Sequence, residues 1–304
     1  MIPALDPTFF LTELANAVII GVIYALMALG LTLIFGIMKI VNFAHGEVYM
    51  VGGYAYYVAT SLMSINVYVS LGLAIAAAAA VGFAIEHFFI SPSYTGRVEK
   101  KDEYTILVTF GLSIFIMNSV LVVFGPWPRR PPSYAPGLFE IGTITVSLDR
   151  IVVTFIGVGL IATIIALLYF TKVGKALRAV SQDREAALVV GINVNRMNAL
   201  TFTLGCALAG AGGALTSPIF LTYPDMGTFP GIKGFVIIVL GGMGSVPGAI
   251  IGSILLGLVE VFTSAYIPDP RRAFAYRDIY GLIILVLVLL LRPSGLLGEK
   301  GRKA

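Results

Sequence analysis

Long apolar runs fill most of this chain, and short polar stretches punctuate them. Runs near 11–36, 47–64, 67–90, 105–124, 151–171, 197–217, 248–267 and 278–292, with a shorter one at 233–245, carry few charges. A membrane-spanning helix needs roughly 20 such residues to cross about 30 Å of hydrocarbon. The pattern therefore predicts an all-α, polytopic transmembrane helical bundle of about eight spans. Broken or re-entrant segments are expected around 37–65 and 233–267. A transmembrane barrel would instead alternate apolar and polar residues in segments of about ten.

Composition agrees. Of 304 residues, 58% are hydrophobic and 12% charged, about half the charge of an ordinary soluble domain. The mean hydropathy is +0.95. So few charges cannot cover a water-facing surface. The expectation is one transmembrane domain over 1–304, with a polar loop at about 172–196. The single cysteine, Cys206, excludes an internal disulfide and a cysteine-based metal site. Residues 1–10 carry no Lys or Arg, so the first run reads as a retained span rather than a cleaved leader.

Basic residues in short loops orient such a bundle. Arg97, Lys100 and Lys101 fall in one loop, and Arg292, Lys300, Arg302 and Lys303 in the tail. The loop at 171–196 holds Lys172, Lys175, Arg178, Arg184 and Arg196. These three regions can share one side, which predicts that they are cytoplasmic and the N-terminus extracytoplasmic. The bias is not absolute, because Arg129, Arg130, Arg271, Arg272 and Arg277 fall opposite. The proline-rich stretch 125–150, with the chain's only tryptophan, Trp127, is expected as a compact external segment at the membrane surface.

Within the polar loop, Ser181 or Asp183 can cap a helix and Glu185 suits the positive end of its dipole. Ala186, Ala187 and the residues after them continue the helix, and Gly191 supplies a left-handed stop. Two turns are unstable alone in water, so this helix needs a docking surface. Ala186 and Ala187 would leave room for a groove, and Arg178, Asp183 and Arg184 would set register at its rim. Catalytic signatures are missing: there is no HExxH, GxSxG or P-loop, and the two histidines, His45 and His87, are far apart. Glu13, Glu86, His87 and Glu260 lie near predicted span ends, where an interfacial position is expected. The chain reads as a non-enzyme with no metal site and no cofactor. A net charge of +4 reflects the loops, and no nucleic-acid partner is expected.

Glu185-Ala186-Ala187-x-x-x-Gly191 resembles the EAA loop of ABC-importer permeases, the element that docks on the ATPase subunit. Asp183-Arg184-Glu185-Ala186-Ala187 followed by Gly191-Ile192-Asn193-Val194 resembles branched-chain amino acid ABC permeases. So do Asn42-Phe43-Ala44-His45-Gly46-Glu47, Gly241-Gly242-Met243-Gly244-Ser245-Val246-Pro247-Gly248 and Arg292-Pro293-Ser294-Gly295-Leu296-Leu297-Gly298. The short N-terminus and NFAHGE resemble the LivH type more than the longer LivM type. The general EAA pattern continues to a later Ile-x-Leu-Pro, which this chain lacks.

The resemblance implies half of a translocation pathway in the bacterial or archaeal cytoplasmic (inner) membrane. Its implied partners are a related LivM-type permease chain, two cytoplasmic ATPases, an extracytoplasmic substrate-binding protein and the bilayer. Leucine, isoleucine and valine are the cargo it implies, with urea, amides or another small polar solute as the alternative. The chain shows no charged pocket suited to a zwitterion, so selectivity is expected in the binding protein.

Two stretches break the apolar pattern, and broken backbone at membrane depth occurs where it lines protein or a cavity. Asn42, His45, Gly46 and Glu47, with Gly242, Gly244 and Ser245, are therefore the candidate pathway or gate. A loop-structuring hydrogen-bond cluster is the other reading of the first group. A self-contained channel or secondary transporter is the rival function.

Overall fold

The computed structural model describes residues 7–96, 98–141, 144–267 and 270–298. Residues 1–6, Arg97, Lys300, Arg302 and Lys303, and the side chains of Arg271, Arg272 and Arg277, lie outside the described residues. Among the described residues the protein is an all-helical bundle apart from one short hairpin. Helix α1 (Pro7–Met38) runs through its centre, with α2 (His45–Tyr57), α3 (Val67–Ile85) and α4 (Lys101–Phe124) following. Strands β1 (Leu138–Ile141) and β2 (Ile144–Ser147) pair antiparallel, Leu138 opposite Ser147. Then come α5 (Leu148–Phe170), α6 (Lys172–Gln182), α7 (Arg184–Val189), α8 (Val194–Phe220), α9 (Thr228–Gly241), α10 (Val246–Tyr266) and α11 (Pro270–Leu291).

Among the described residues, six helices are long and apolar enough to cross a membrane: α1, α3, α4, α5, α8 and α10. The other predicted crossings are shorter or broken. Helix α2 is 13 residues long and ends in a π-helical turn, Val58–Leu62. Helix α9 has 14 residues, about 21 Å at 1.5 Å per residue, less than the hydrocarbon thickness.

Small residues let the central helices touch. A Cβ on Gly30 would meet the Gly205 carbonyl oxygen at 2.5 Å, and one on Gly257 would meet that of Ala17 at 2.7 Å. Without a hydrophobic difference between helix and lipid, such backbone approach is what holds helices together in a bilayer. The stripe Gly205, Ala209, Gly213 is spent on α1 and α2, and the stripe Gly244, Gly248, Gly252 on α1 and α9. Both pack inside the chain. The thiol of Cys206 is buried beneath α3, pressed on Gly82. Helix α4 is the opposite case, with Leu107, Phe110, Phe115, Val122 and Val123 exposed along it.

The segment 125–147 is anchored as well as lying outside the bundle. Trp127 is exposed, but Tyr134 is buried. The Tyr134 backbone N–H donates to Asp149 (2.8 Å), its hydroxyl donates to the Ala214 carbonyl (3.1 Å), and its ring stacks on Tyr56 at 5.0 Å. Burial raises the pKa of this phenol and keeps it a donor. Arg129 and Thr222 exchange backbone hydrogen bonds of 2.8 Å in both directions, which ties the segment to the α8–α9 connection.

Candidate functional site

The polar loop folds much as its residues demand. Asp183 Oδ1 accepts from the backbone N–H of Glu185 (2.9 Å) and Ala186 (3.0 Å), capping α7. Ser181 donates instead to the Arg178 carbonyl. Gly191 ends the turn at φ +83°. Arg184 lies over the Tyr94 ring at 6.0 Å, which seats the loop beside the residues following α3. One expectation is corrected here. Ala187 faces its own bundle and is buried, so it leaves no room for an outside groove. Leu188, Val189 and Val190 are exposed beside it, along with Glu185 and Ala186.

The α1–α2 break is a buried hydrogen-bond cluster. Helix α1 ends at Met38 and Lys39 takes φ +57°. Asn42 Oδ1 accepts from the Ala44 N–H (3.1 Å), closing a turn. His45 is fully buried and donates from Nε2 to the Met27 carbonyl (3.3 Å). Gly46 lies on the backbone of Gly227, at the start of α9. Glu47 Oε1 accepts from Ser113 of α4 (3.1 Å). His45 Nδ1, Asn42 Nδ2 and Glu47 Oε2 have no partner among the described residues. Gly242 and Gly244, both at positive φ, and Ser245, which caps α10, form the tight α9–α10 turn. That turn packs on Gly36 and Gly298, away from the α1–α2 cluster's His45 end.

The large cavity lies elsewhere. It encloses about 490 Å³ between the middle of α1 (Ile20, Ile23, Tyr24, Met27), Tyr49 of α2, and Thr216 and Phe220 of α8. The connection 221–227 and the first turns of α9 (Phe229, Pro230, Lys233) complete it. None of the seven residues proposed from the sequence as pathway or gate lines it. His45 reaches it only indirectly, through Met27. The residues missed are Tyr24, Lys233 and Glu260. Lys233 forms an ion pair with Glu260 of α10, and Tyr24 donates to the other Glu260 oxygen (2.8 Å). The Lys233 side chain is 11% exposed and that of Glu260 0%. Glu260 and Glu86 are both buried among the helices rather than on the surface of the bundle. The signal was present as two opposite charges inside apolar runs, but 27 residues separate them and no local spacing links them.

Comparison with known proteins follows from this architecture. Residues 13–291 match the family described as branched-chain amino acid transport system / permease component. The chain belongs to this permease family. It is 35% identical to the high-affinity branched-chain amino acid transport system permease protein LivH of Salmonella typhimurium, over 96% of each chain. It is 26% identical to the corresponding LivM protein of Escherichia coli, over 90% of this chain and 68% of that one. A solved structure titled PsaBC from Streptococcus pneumoniae in complex with Fab aligns with a TM-score of 0.50 at 13% identity. That alignment covers 96% of this chain and 94% of the other, a likeness of fold alone. Family membership makes this a non-catalytic, multi-span membrane permease subunit of an ABC importer.

Proposed function

We infer that this permease subunit imports branched-chain amino acids across the inner membrane, as its LivH relatives are named for doing. It forms half of the pathway beside a related, LivM-type chain. ATP is hydrolysed on two separate cytoplasmic subunits, and an extracytoplasmic protein delivers the cargo. The observation that carries the ATPase contact is α7. A capped helix of six residues presents Leu188, Val189 and Val190 to solvent. Exposed apolar residues on a helix too short to stand alone fit a docking surface. Asp183, Arg184, Glu185, Ala186 and Gly191 give that surface its shape, while Ala187 seats it on the bundle.

Charge supports an orientation with this face in the cytoplasm. The loop joins the same end of the bundle as the start of α4, where Lys101 donates to the Met38 carbonyl (3.0 Å). The residues after α11 belong to that end too, since Leu296 and Leu297 donate to Leu240 and Gly241 (2.9 Å each). The test is reconstitution. Vesicles holding both permease chains and the ATPases should take up leucine only with ATP and a loaded binding protein. Equal flux through this chain alone would replace the importer with a channel or secondary transporter.

A further inference from the structure

A lysine and a glutamate of opposite charge face each other inside the bundle, both buried. Charge at membrane depth is costly and marks function more often than packing. An apolar pair of the same volume would hold the helices as well or better, so packing alone does not account for Lys233 and Glu260. Their position is more telling. Lys233 reaches the wall of the 490 Å³ cavity, while Glu260 sits behind it. That volume is within the usual range of about 300–1,000 Å³ for small-molecule sites.

The rest of the lining divides by chemistry. Ile20, Ile23, Met27 and Phe229 form an apolar wall, and the Tyr49 and Thr216 hydroxyls share a hydrogen bond across from it. Phe229 and Pro230, in the first turn of α9, complete the wall beside the lysine. One cation set in a mostly apolar chamber matches a molecule with one carboxylate and one apolar body.

We propose that this cavity is a transit site for a free amino acid with an apolar side chain, and that Lys233 anchors its α-carboxylate. Glu260 and Tyr24 are positioning residues. They hold the Lys233 amine in place when the site is empty, and Lys233 turns part of its hydrogen bonding to the substrate when it is filled. The site refines the importer reading above and rests on it. It also departs from the expectation that the permease has no group for a zwitterion.

The test uses the purified complex of both permease chains and ATPases, without binding protein, titrated with leucine and with leucinamide, which lacks the carboxylate charge. Wild-type complex should bind leucinamide at least about tenfold more weakly, the least expected for one lost charged hydrogen bond. The double variant Lys233→Met/Glu260→Met removes both charges together and should bring that ratio close to one. Lys233→Arg should keep it. Ile20→Trp fills the chamber without touching the ion pair, and should abolish binding of both compounds even if the double variant does not assemble. An unchanged ratio in the double variant, wild-type leucine binding in Ile20→Trp, or a wild-type complex that binds neither compound or both alike would overturn the site. Failure of ATP-driven leucine uptake by wild-type vesicles would instead overturn the importer reading.

Discussion

At Gly46 the backbone of α2 passes so close to α9 that an added methyl group would lie 2.5 Å from the Gly227 carbonyl oxygen. Backbone cannot yield as a side chain can, so Gly46→Ala should destabilise the protein by about 1–3 kcal/mol, the usual cost of overpacking. Thermal unfolding in detergent measures this, and an unchanged midpoint would mean the two helices part without cost. Larger residues at Gly46 should then impair folding before transport. Gly191 contrasts with it. Nothing lies within 4 Å of a Cβ there, and only its φ of +83° resists substitution. Gly191→Val should cost about 1–3 kcal/mol through backbone strain alone, confined to the end of α7. Faster amide exchange at 184–192, with the spans unaffected, is the expected reading. The cap at Asp183 and the stop at Gly191 were legible in the sequence because both are local, set by a side chain and its own neighbours. Lys233 and Glu260 were not, because their meeting depends on how α9 and α10 pack.

Among elements, α7 separates inward from outward residues within six positions. Ala187 is buried and Val189 is 87% exposed. Val189→Asp should therefore leave the chain inserted and folded, yet prevent co-purification with the ATPase subunits. Intact ATPase recovery with this variant would move the contact off α7. Helices α2 and α9 are the broken and short segments expected around 37–65 and 233–267. Both runs were visible, but a run does not show which helix its own start will meet. Gly46 and Gly227 bring the starts of α2 and α9 together inside the bundle, and the first turns of α9 line the cavity. The segment 125–147 was readable as compact from its prolines, while the insertion of Tyr134 depends on Tyr56, Asp149 and Ala214. Tyr134→Ala removes one hydrogen bond and a stacked ring. It should raise amide exchange across 125–137 by an order of magnitude or more, as expected when about 2–4 kcal/mol of local stability is lost. Protection equal to wild type would show that the Arg129–Thr222 bridge holds the segment unaided.

For the whole molecule, the fold class followed from run length and charge, which act on every residue at once. The arrangement of helices did not, since small residues permit close approach on any face and only the assembled bundle shows which faces meet. Sidedness is the property left for direct measurement. Gln182 and Trp127 are exposed at opposite ends. Cysteines placed singly at these positions should differ in intact cells: an impermeant maleimide added outside should label 127 and spare 182. Labelling at 182 would invert the molecule. Such experiments ordinarily begin by removing native thiols. Here Cys206 is sealed between α8 and α3, against a glycine that leaves no gap. A thiol so enclosed does not react. The natural chain is thus already a silent background, on which each introduced cysteine reports alone.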